Sequence, residues 1–179
     1  MAMRVLDRKL ERAFTQLDVD GDGRIERDDV LCLGSRLLVG LGEPPTTAKG
    51  RRVLDHLDAF WNALVQETGS RGQISAAEFH AGMTAAFIDG DRFEQVFRPA
   101  AQAVAALCDT DGDGSIRPGG FRAMQQAFGT TGEDADAAFA RLDRDGSQTL
   151  TVDELVEAAR EFYTGDDPEA TGNWLFGPL

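Results

Sequence analysis

The sequence predicts an all-α protein of compact globular form, and three features of the chain lead to this fold class. The chain has 179 residues, of which 42% are hydrophobic, and this is enough for one compact domain or two small lobes. Apolar residues recur with a helical period over much of the chain. Four twelve-residue windows of similar pattern separate the helical segments, so the chain contains an internal repeat.

The predicted helices are segments in which apolar side chains fall on one stripe. In the segment 51–66 this stripe consists of Val53, Leu54, Leu57, Phe60, Trp61 and Leu64. The segment 91–108 carries a second stripe made of Phe93, Val96, Phe97, Ala100, Val104 and Leu107. Segments 133–142 and 152–163 have the same period. Because such helices bury their stripes against one another, we expect a core made of helices.

The four windows join the predicted helices, and we number them as loops one to four. Loop one (18–29) reads DVDGDGRIERDD, loop two (67–78) ETGSRGQISAAE, loop three (109–120) DTDGDGSIRPGG and loop four (143–154) DRDGSQTLTVDE. A helix, a twelve-residue calcium loop and a second helix form an EF-hand. Four hands are expected to associate in two pairs. The eighth residues of paired loops should then meet in short β-bridges, Ile25 with Ile74 and Ile116 with Leu150.

The connectors predict how the hands are grouped. We expect residues 1–89 to form an N-terminal pair in which hand two is degenerate, and residues 90–163 to form a C-terminal pair. Residues 164–179 are predicted to be a tail. Because most of this tail is polar, we expect it to be loose, whereas its apolar end, the segment 174–176, should dock on the core.

Loop one has the strongest pattern for calcium. Calcium is a hard cation that takes six to eight oxygens, which an EF-hand loop supplies from positions 1, 3, 5, 7, 9 and 12. The candidate ligands are Asp18, Asp20, Asp22, the Arg24 carbonyl, Glu26 and Asp29. The terminal Asp29 is one methylene shorter than the usual glutamate, so we expect a smaller shell in which Mg²⁺ competes with Ca²⁺. Substitution Asp29→Glu should favour calcium.

Loop two is predicted to be free of metal. Its third and fifth positions are Gly69 and Arg71, and a guanidinium cannot ligate a cation. The remaining acids, Glu67 and Glu78, do not build a cage of six oxygens.

Loop three begins like a calcium loop and ends unlike one. Its candidate ligands are Asp109, Asp111, Asp113 and the Ser115 carbonyl. Arg117 stands at position 9, and Gly120 supplies no carboxylate at position 12. We therefore expect weak binding, in the ~10⁻⁴–10⁻³ M range of poor sites. Substitution Gly120→Glu is expected to create an additional tight site.

Loop four keeps a complete ligand set. Its candidates are Asp143, Asp145, Ser147, the Thr149 carbonyl, Thr151 and Glu154. Gln148 replaces the glycine of position 6, so its backbone must adopt a positive φ at a cost of about 1 kcal/mol. We expect metal to bind here, with a bidentate Glu154.

These residues resemble the sarcoplasmic calcium-binding protein family of EF-hand proteins over nearly the whole chain. The resemblance rests on the length, on the degenerate second hand and on the loop-one ending IERDD. It also rests on the unequal separation of the loop starts by 49, 42 and 34 residues. The family implies two pairs of hands packed into one globule, with metal at hands one, three and four. Its ligands map onto Asp18, Asp20, Asp22 and Asp29, onto Asp109, Asp111 and Asp113, and onto Asp143, Asp145, Ser147 and Glu154; Gly120 departs from this pattern.

Composition narrows the function. The formal net charge of −13 repels nucleic-acid phosphates and anionic lipid, so neither is an expected partner. The chain lacks a phosphate-binding loop and a Cys/His metal constellation, so we do not expect an enzyme. Cys108 directly precedes loop three and is interpreted as a packing residue. The two cysteines and the charged N-terminus favour a reduced, cytoplasmic protein, which we expect to be a monomer.

Three functions remain open on the sequence. The leading one is an intracellular calcium buffer or signal modulator, because Met83 and Met124 are more typical of a core than of a methionine-rich target groove. The second is a calcium sensor that recruits an unknown protein, with loop three and the apolar end of the tail as its moving parts. The third comes from luciferin-binding members of the wider family, with Trp61, Trp174 and phenylalanines lining a cavity for an apolar ligand.

Overall fold

The structure is a computed structural model that describes residues 4–179, and within them helices dominate as predicted. Eight α-helices and four short strands follow one another along this range. The helices are α1 (Val5–Leu17), α2 (Arg27–Gly40), α3 (Ala48–Thr68), α4 (Ala76–Met83), α5 (Arg98–Cys108), α6 (Pro118–Ala127), α7 (Gly132–Leu142) and α8 (Val152–Thr164). The strands are β1 (Arg24–Glu26), β2 (Gln73–Ser75), β3 (Ser115–Ile116) and β4 (Leu150–Thr151).

The strands join the loops in two pairs, which confirms the predicted bridges. Strand β1 pairs antiparallel with β2, and Ile25 lies opposite Ile74. Strand β3 pairs antiparallel with β4, and Ile116 lies opposite Leu150. All four of these side chains are fully buried. Each pair of hands therefore has its loops tied back to back, so that the position of one loop constrains the other.

The predicted helix over 91–108 is present, but its first part is not a regular α-helix. A π-helical turn spans Phe93–Phe97, and regular α-helix begins only at Arg98. Pro99 lies in the first turn of α5, where its missing N–H removes the bond back to the preceding turn. A second π-helical turn, Thr84–Ile88, precedes the junction at Gly90, where an added Cβ would lie 2.4 Å from the Ala85 carbonyl oxygen.

The two pairs of hands share one hydrophobic core. Phe60 of α3 contacts Phe97 with ring centroids 6.0 Å apart, and Phe97 contacts Tyr163 of α8 at 4.8 Å. Helix α3 also packs along α5, and α2 packs against α6. The four hands thus form a single packed globule, while the division at residues 89 and 163 stays a prediction.

The C-terminal tail docks on the core, but the expectation that its polar part is loose is wrong. Leu175 and Phe176 are buried, as predicted for the apolar end. The polar part is held by side chains of α1 and its N-cap residue, because Arg4 pairs with Asp166 at 2.6 Å and the Lys9 ammonium donates to Asn173 Oδ1 at 2.9 Å. The tail therefore links α1, which leads into loop one, to α8, which follows loop four. Within the described residues, no helix combines the length and apolar character needed to cross a membrane.

Candidate metal centres

Loops one, three and four leave their first helices with the same backbone geometry. Their first residues, Asp18, Asp109 and Asp143, have φ of −74°, −77° and −73° and ψ of 79°, 85° and 75°. In each case the helix ends at the residue before the aspartate. The position-1 carboxylates are therefore placed alike with respect to their loops, as a repeated cation site requires.

A shared hydrogen bond closes each of these three loops. The backbone N–H at position 6 donates to Oδ2 of the position-1 aspartate at 2.9 Å, from Gly23 to Asp18, from Gly114 to Asp109 and from Gln148 to Asp143. Gln148 makes this bond with φ of 62°, which confirms the predicted left-handed backbone at that position. The bend turns the intervening residues inward, so their oxygens converge.

Loop one brings its first three acids together. Carboxylate oxygens of Asp18, Asp20 and Asp22 lie within 4.8 Å of one another. Backbone N–H groups of the loop donate to them, including Asp22 N–H to Asp20 Oδ1 at 3.1 Å. Across residues 4–179, no lysine or arginine forms an ion pair with any of the three. Three carboxylates this close repel one another, and a hard divalent cation is the partner that their oxygens suit.

Asp29 lies at the start of α2, apart from the other three acids. It is buried, and its two oxygens accept from the Val19 N–H at 3.1 Å and from the Glu26 N–H at 2.8 Å. With Glu26 it forms a capping box at the N-terminus of the helix. Each carboxylate oxygen has two lone pairs, so capping leaves Asp29 able to ligate a cation.

Loop four gathers its predicted ligands around Ser147. The Ser147 N–H donates to both Asp143 Oδ1 and Asp145 Oδ1 at 3.0 Å, and its hydroxyl donates to the Thr149 carbonyl at 2.9 Å. Hydrogen bonds from Ser147 hold the pKa of Asp145 below its usual range. Glu154 accepts from the Thr151 N–H at 2.8 Å. The donor set fits calcium, with fewer charges than in loop one.

Loop two has a different geometry. Helix α3 continues through Thr68, the second position of the window, and Gly69 closes it with a left-handed backbone at φ 64°. Glu67 pairs with Arg92 at 3.8 Å, so the acid at position 1 already has a cationic partner. Ser75 and Glu78 form a capping box that starts α4. The acids of loop two are therefore engaged with groups of the chain itself, and its lack of metal stays a prediction.

The acids of loop three also lie close together, but an arginine forms ion pairs with two of them. Carboxylate oxygens of Asp109, Asp111 and Asp113 lie within 4.8 Å of one another. The Arg117 guanidinium donates to Asp111 Oδ2 at 2.6 Å and to Asp113 Oδ2 at 2.8 Å. These hydrogen bonds hold the pKa of Asp113 below its usual range. The Ser115 N–H donates to Asp113 Oδ1 at 2.8 Å, so the loop is fully folded around its acids.

At the end of loop three, the space around Gly120 is too small for a side chain. A Cβ added at Gly120 would lie 2.4 Å from the Cys108 carbonyl oxygen, which belongs to the last turn of α5. This close approach argues against a tight site from Gly120→Glu alone, because the new side chain must first push α6 away from α5, but the effect of the substitution stays a prediction. At position 12 the backbone of α6 therefore lies directly against the last turn of α5.

A second basic residue, which sequence reasoning missed, lies at loop three. The Lys49 ammonium, in the first turn of α3, donates to the Asp109 carbonyl at 2.9 Å. Sixty residues separate the two in sequence, and no local pattern marks the contact. Two positive groups thus converge on a loop that carries three acids.

A small apolar cavity lies between the pairs of hands. It has a volume of about 100 Å³ and is lined entirely by apolar and aromatic residues, among them Leu33, Phe60, Phe97, Met124, Tyr163 and Phe176. The predicted lining residues Trp61 and Trp174 do not contribute to it. The phenylalanines that were predicted to line such a cavity do contribute to it.

The Cys108 thiol is a packing group. It is buried beside loop three and donates to the Val104 carbonyl at 3.3 Å. Burial raises the pKa of this thiol to about 12, so the nucleophilic thiolate is scarce at neutral pH.

Comparison with known proteins agrees with this geometry. Residues 7–84 match the family model of an EF-hand domain pair. Calerythrin of Saccharopolyspora erythraea is 27% identical over 169 residues, covering 92% of this chain and 96% of calerythrin. Obelin of Obelia geniculata is 30% identical over 172 residues, covering 92% of this chain and 85% of obelin.

The fold is also similar to that of a solved bacterial protein. The structure of a Streptomyces coelicolor calcium-binding protein, described as the basis of prokaryotic calcium-mediated regulation, superposes with a TM-score of 0.78 at 28% identity. The match covers 90% of this chain and 99% of that one. The repeated loops, their paired bridges and these relatives lead to one conclusion: the chain belongs to the EF-hand family of calcium-binding proteins and is similar to calerythrin and the sarcoplasmic calcium-binding proteins.

Proposed function

We propose that this chain is an intracellular calcium buffer or signal modulator that acts as a monomer in the cytoplasm. Loop one binds Ca²⁺ with Mg²⁺ as a competitor, and loop four binds Ca²⁺. Bound metal would supply charge neutralisation and a fixed centre for the loop oxygens. With a formal net charge of −13, the protein attracts cations over its whole surface, so entry of the ion is favoured electrostatically.

Loop one supplies most of the charged ligands for Ca²⁺. Asp18, Asp20 and Asp22 stand with their oxygens within 4.8 Å, prearranged by backbone N–H groups. Hydrogen bonds that hold the carboxylates in this arrangement reduce the conformational entropy that is lost on binding. The Arg24 carbonyl, in β1, lies at position 7, where a loop presents its backbone ligand. Asp29 closes the shell from α2.

One observation supports a buffer over a switch: the apolar surface is already covered. Met83 and Met124 are buried, and Leu175 and Phe176 of the tail pack into the core. Among the described residues, Val39 is the large hydrophobic side chain that stays exposed, at 82%. A sensor of the calmodulin type needs a methionine-rich groove that opens when calcium binds, and these methionines lie inside a shared core.

Two measurements test this proposal together. Calorimetric titration of the chelator-treated protein with Ca²⁺, repeated in millimolar Mg²⁺, should show saturable binding and weaker apparent affinity at loop one in the presence of Mg²⁺. Fluorescence of an apolar dye should not increase with calcium. A calcium-dependent rise in dye fluorescence would favour the sensor, and the absence of heat at micromolar calcium would refute calcium binding altogether.

The magnesium competition has a matched pair of variants. Asp29→Glu lengthens the terminal ligand of loop one, and Glu154→Asp shortens that of loop four. We expect the ratio of Ca²⁺ to Mg²⁺ affinity to rise by about tenfold in the first variant and to fall by a similar factor in the second, because a shorter acid favours the smaller six-coordinate ion. Equal ratios in all three proteins would contradict this account of selectivity.

The second candidate function is a sensor that recruits a protein, and the tail supports it. The Arg12 guanidinium donates to the carbonyls of Phe176 and Pro178, at 3.1 and 2.7 Å. This ties the tail to the helix that enters loop one, so movement of α1 would move the tail. The dye experiment separates this candidate from the buffer.

An apolar-ligand protein is the third candidate, and the central cavity is what supports it. Its volume of about 100 Å³ is smaller than the ~150 Å³ cavity that holds benzene, so a luciferin-sized ligand requires opening of the core. Calcium-sensitive quenching of the fluorescence of an apolar ligand added to the protein would support this function.

A further inference from the structure

Loop three has the backbone of a cation-loaded loop without the side chains to hold the cation. Gly112 and Gly114 have φ of 75° and 86°, the same values as Gly21 and Gly23 in loop one. Loop three keeps this backbone although its position 12 is Gly120, which supplies no carboxylate.

The Arg117 guanidinium supplies positive charge to the acids of loop three. It donates one N–H to Asp111 at 2.6 Å and another to Asp113 at 2.8 Å, so one cation bridges two carboxylates that would otherwise repel each other. In loops one and four of the described chain, which keep an acid at position 12, no basic side chain is ion-paired to an acid of positions 1, 3 or 5.

Two further features of loop three disfavour a bound calcium ion. The Lys49 ammonium donates to the Asp109 carbonyl at 2.9 Å, from a helix of the other pair of hands. The narrow approach of Gly120 to Cys108 leaves no room for a terminal carboxylate. The residues of loop three therefore do not fit a tightly bound calcium ion, whereas those of loops one and four do.

We infer that Arg117 is the built-in cation of hand three: it takes the place of calcium between the loop's carboxylates and keeps the ion out. Hand three then holds the β3–β4 bridge for loop four in the absence of its own metal. The chain accordingly takes one calcium ion in each pair of hands, at loops one and four. This last statement rests on the proposed calcium-binding function, whereas the role of Arg117 in loop three does not.

Site-resolved titration tests this inference, because each loop has a matching reporter. The amide groups of Gly23, Gly114 and Gln148 donate to the position-1 aspartates of loops one, three and four. In ¹H–¹⁵N correlation spectra of the chelator-treated full chain, calcium up to about 1 mM should shift the Gly23 and Gln148 resonances and leave Gly114 in place. A shift of Gly114 in parallel with Gly23 would overturn the inference.

Removal of the guanidinium supplies the complementary test. In Arg117→Gln, the Gly114 resonance should respond to calcium in the millimolar range. The calcium concentration at the midpoint of this response should be at least about tenfold lower than in the parent protein, because the variant lacks a positive charge that would repel the divalent ion. Arg117→Lys keeps the charge and loses the two-point bridge, so its midpoint should be intermediate. The control is Arg122→Gln, which loses the same charge in the same hand but from an ion pair with Asp136, outside loop three.

The outcomes separate this inference from the proposed function. A Gly114 resonance that stays silent in Arg117→Gln, or responds equally in Arg122→Gln, refutes the role of Arg117. Silent Gly23 and Gln148 resonances refute calcium binding at loops one and four, yet a gain at Gly114 in Arg117→Gln would still support the built-in cation.

Discussion

Two adjacent glycines at the start of α6 provide a direct test of why loop three lacks its terminal acid. A Cβ added at Gly120 would lie 2.4 Å from the Cys108 carbonyl oxygen, about 1 Å closer than ordinary van der Waals contact. The obstacle is backbone, which cannot rotate away as a side chain would. A Cβ at Gly119 meets no atom within 4 Å. Both residues lie in the first turn of the same helix, so their helix propensities are comparable.

The two alanine variants should therefore change stability in opposite directions. Gly119→Ala is expected to stabilise by up to about 1 kcal/mol, because alanine loses less backbone entropy than glycine. Gly120→Ala has the same gain but must separate α5 from α6, and overpacking of this kind costs about 1–3 kcal/mol. Urea unfolding followed by circular dichroism, in the presence of chelator, measures the difference. If Gly120→Ala is as stable as Gly119→Ala, the close approach is not what excludes a carboxylate at position 12.

Two further predictions concern buried polar groups. Because burial raises the pKa of the Cys108 thiol from 9.0 to about 12, its stabilising effect is complete below pH 9 and is lost as pH rises toward 12. Between pH 8 and pH 10 the free energy of unfolding should fall by about 1.4 kcal/mol more in the parent protein than in Cys108→Ala, as measured by urea unfolding, and parallel pH profiles would contradict this. Lys9→Met should destabilise by about 1–3 kcal/mol and make the tail sensitive to limited proteolysis, because the Asn173 oxygen and the Glu161 carbonyl each lose a donor 2.9 Å away. The control Arg8→Met changes an exposed neighbour, and equal proteolysis of the two variants would argue against the anchoring role of Lys9.

Much of the fold was predictable because the information is local. The eighth residue of each loop is aliphatic, and this alone specified both β-bridges and their register. The left-handed backbone of Gln148 followed from its place at position 6. Such features depend on spacing within twelve residues, which the sequence displays directly.

The features that were missed depend on contacts between distant segments. Nothing around Lys49 indicates that its ammonium reaches the carbonyl of Asp109, sixty residues away. The close approach of Gly120 to Cys108 depends on the angle between α5 and α6, which the packing of the whole core determines. The tail was expected to be loose because it is polar, and its partner Lys9, at the opposite end of the chain, carries no local mark of this contact.

The proposed occupancy gives each pair of hands one ion, and loops two and three have features that fit this proposal. Calcium normally joins the two ends of a loop and neutralises its acids. In loop two, the capping box of Glu78 orders the start of α4, and Arg92 neutralises Glu67. In loop three, Arg117 pairs with Asp111 and Asp113.

Each of these two loops is therefore ordered by groups of the chain itself. The β-bridge to its partner loop then forms without a second ion. Steep, switch-like binding requires that one site's occupancy change the affinity of another. Because only one loop of each pair takes an ion, coupling of two ions would have to pass between the pairs, through the shared core and the tail. For a buffer we expect loops one and four to fill in a graded manner. A graded response over a wide range of calcium is what a buffer needs, and a Hill coefficient clearly above one in calcium titration would contradict this argument.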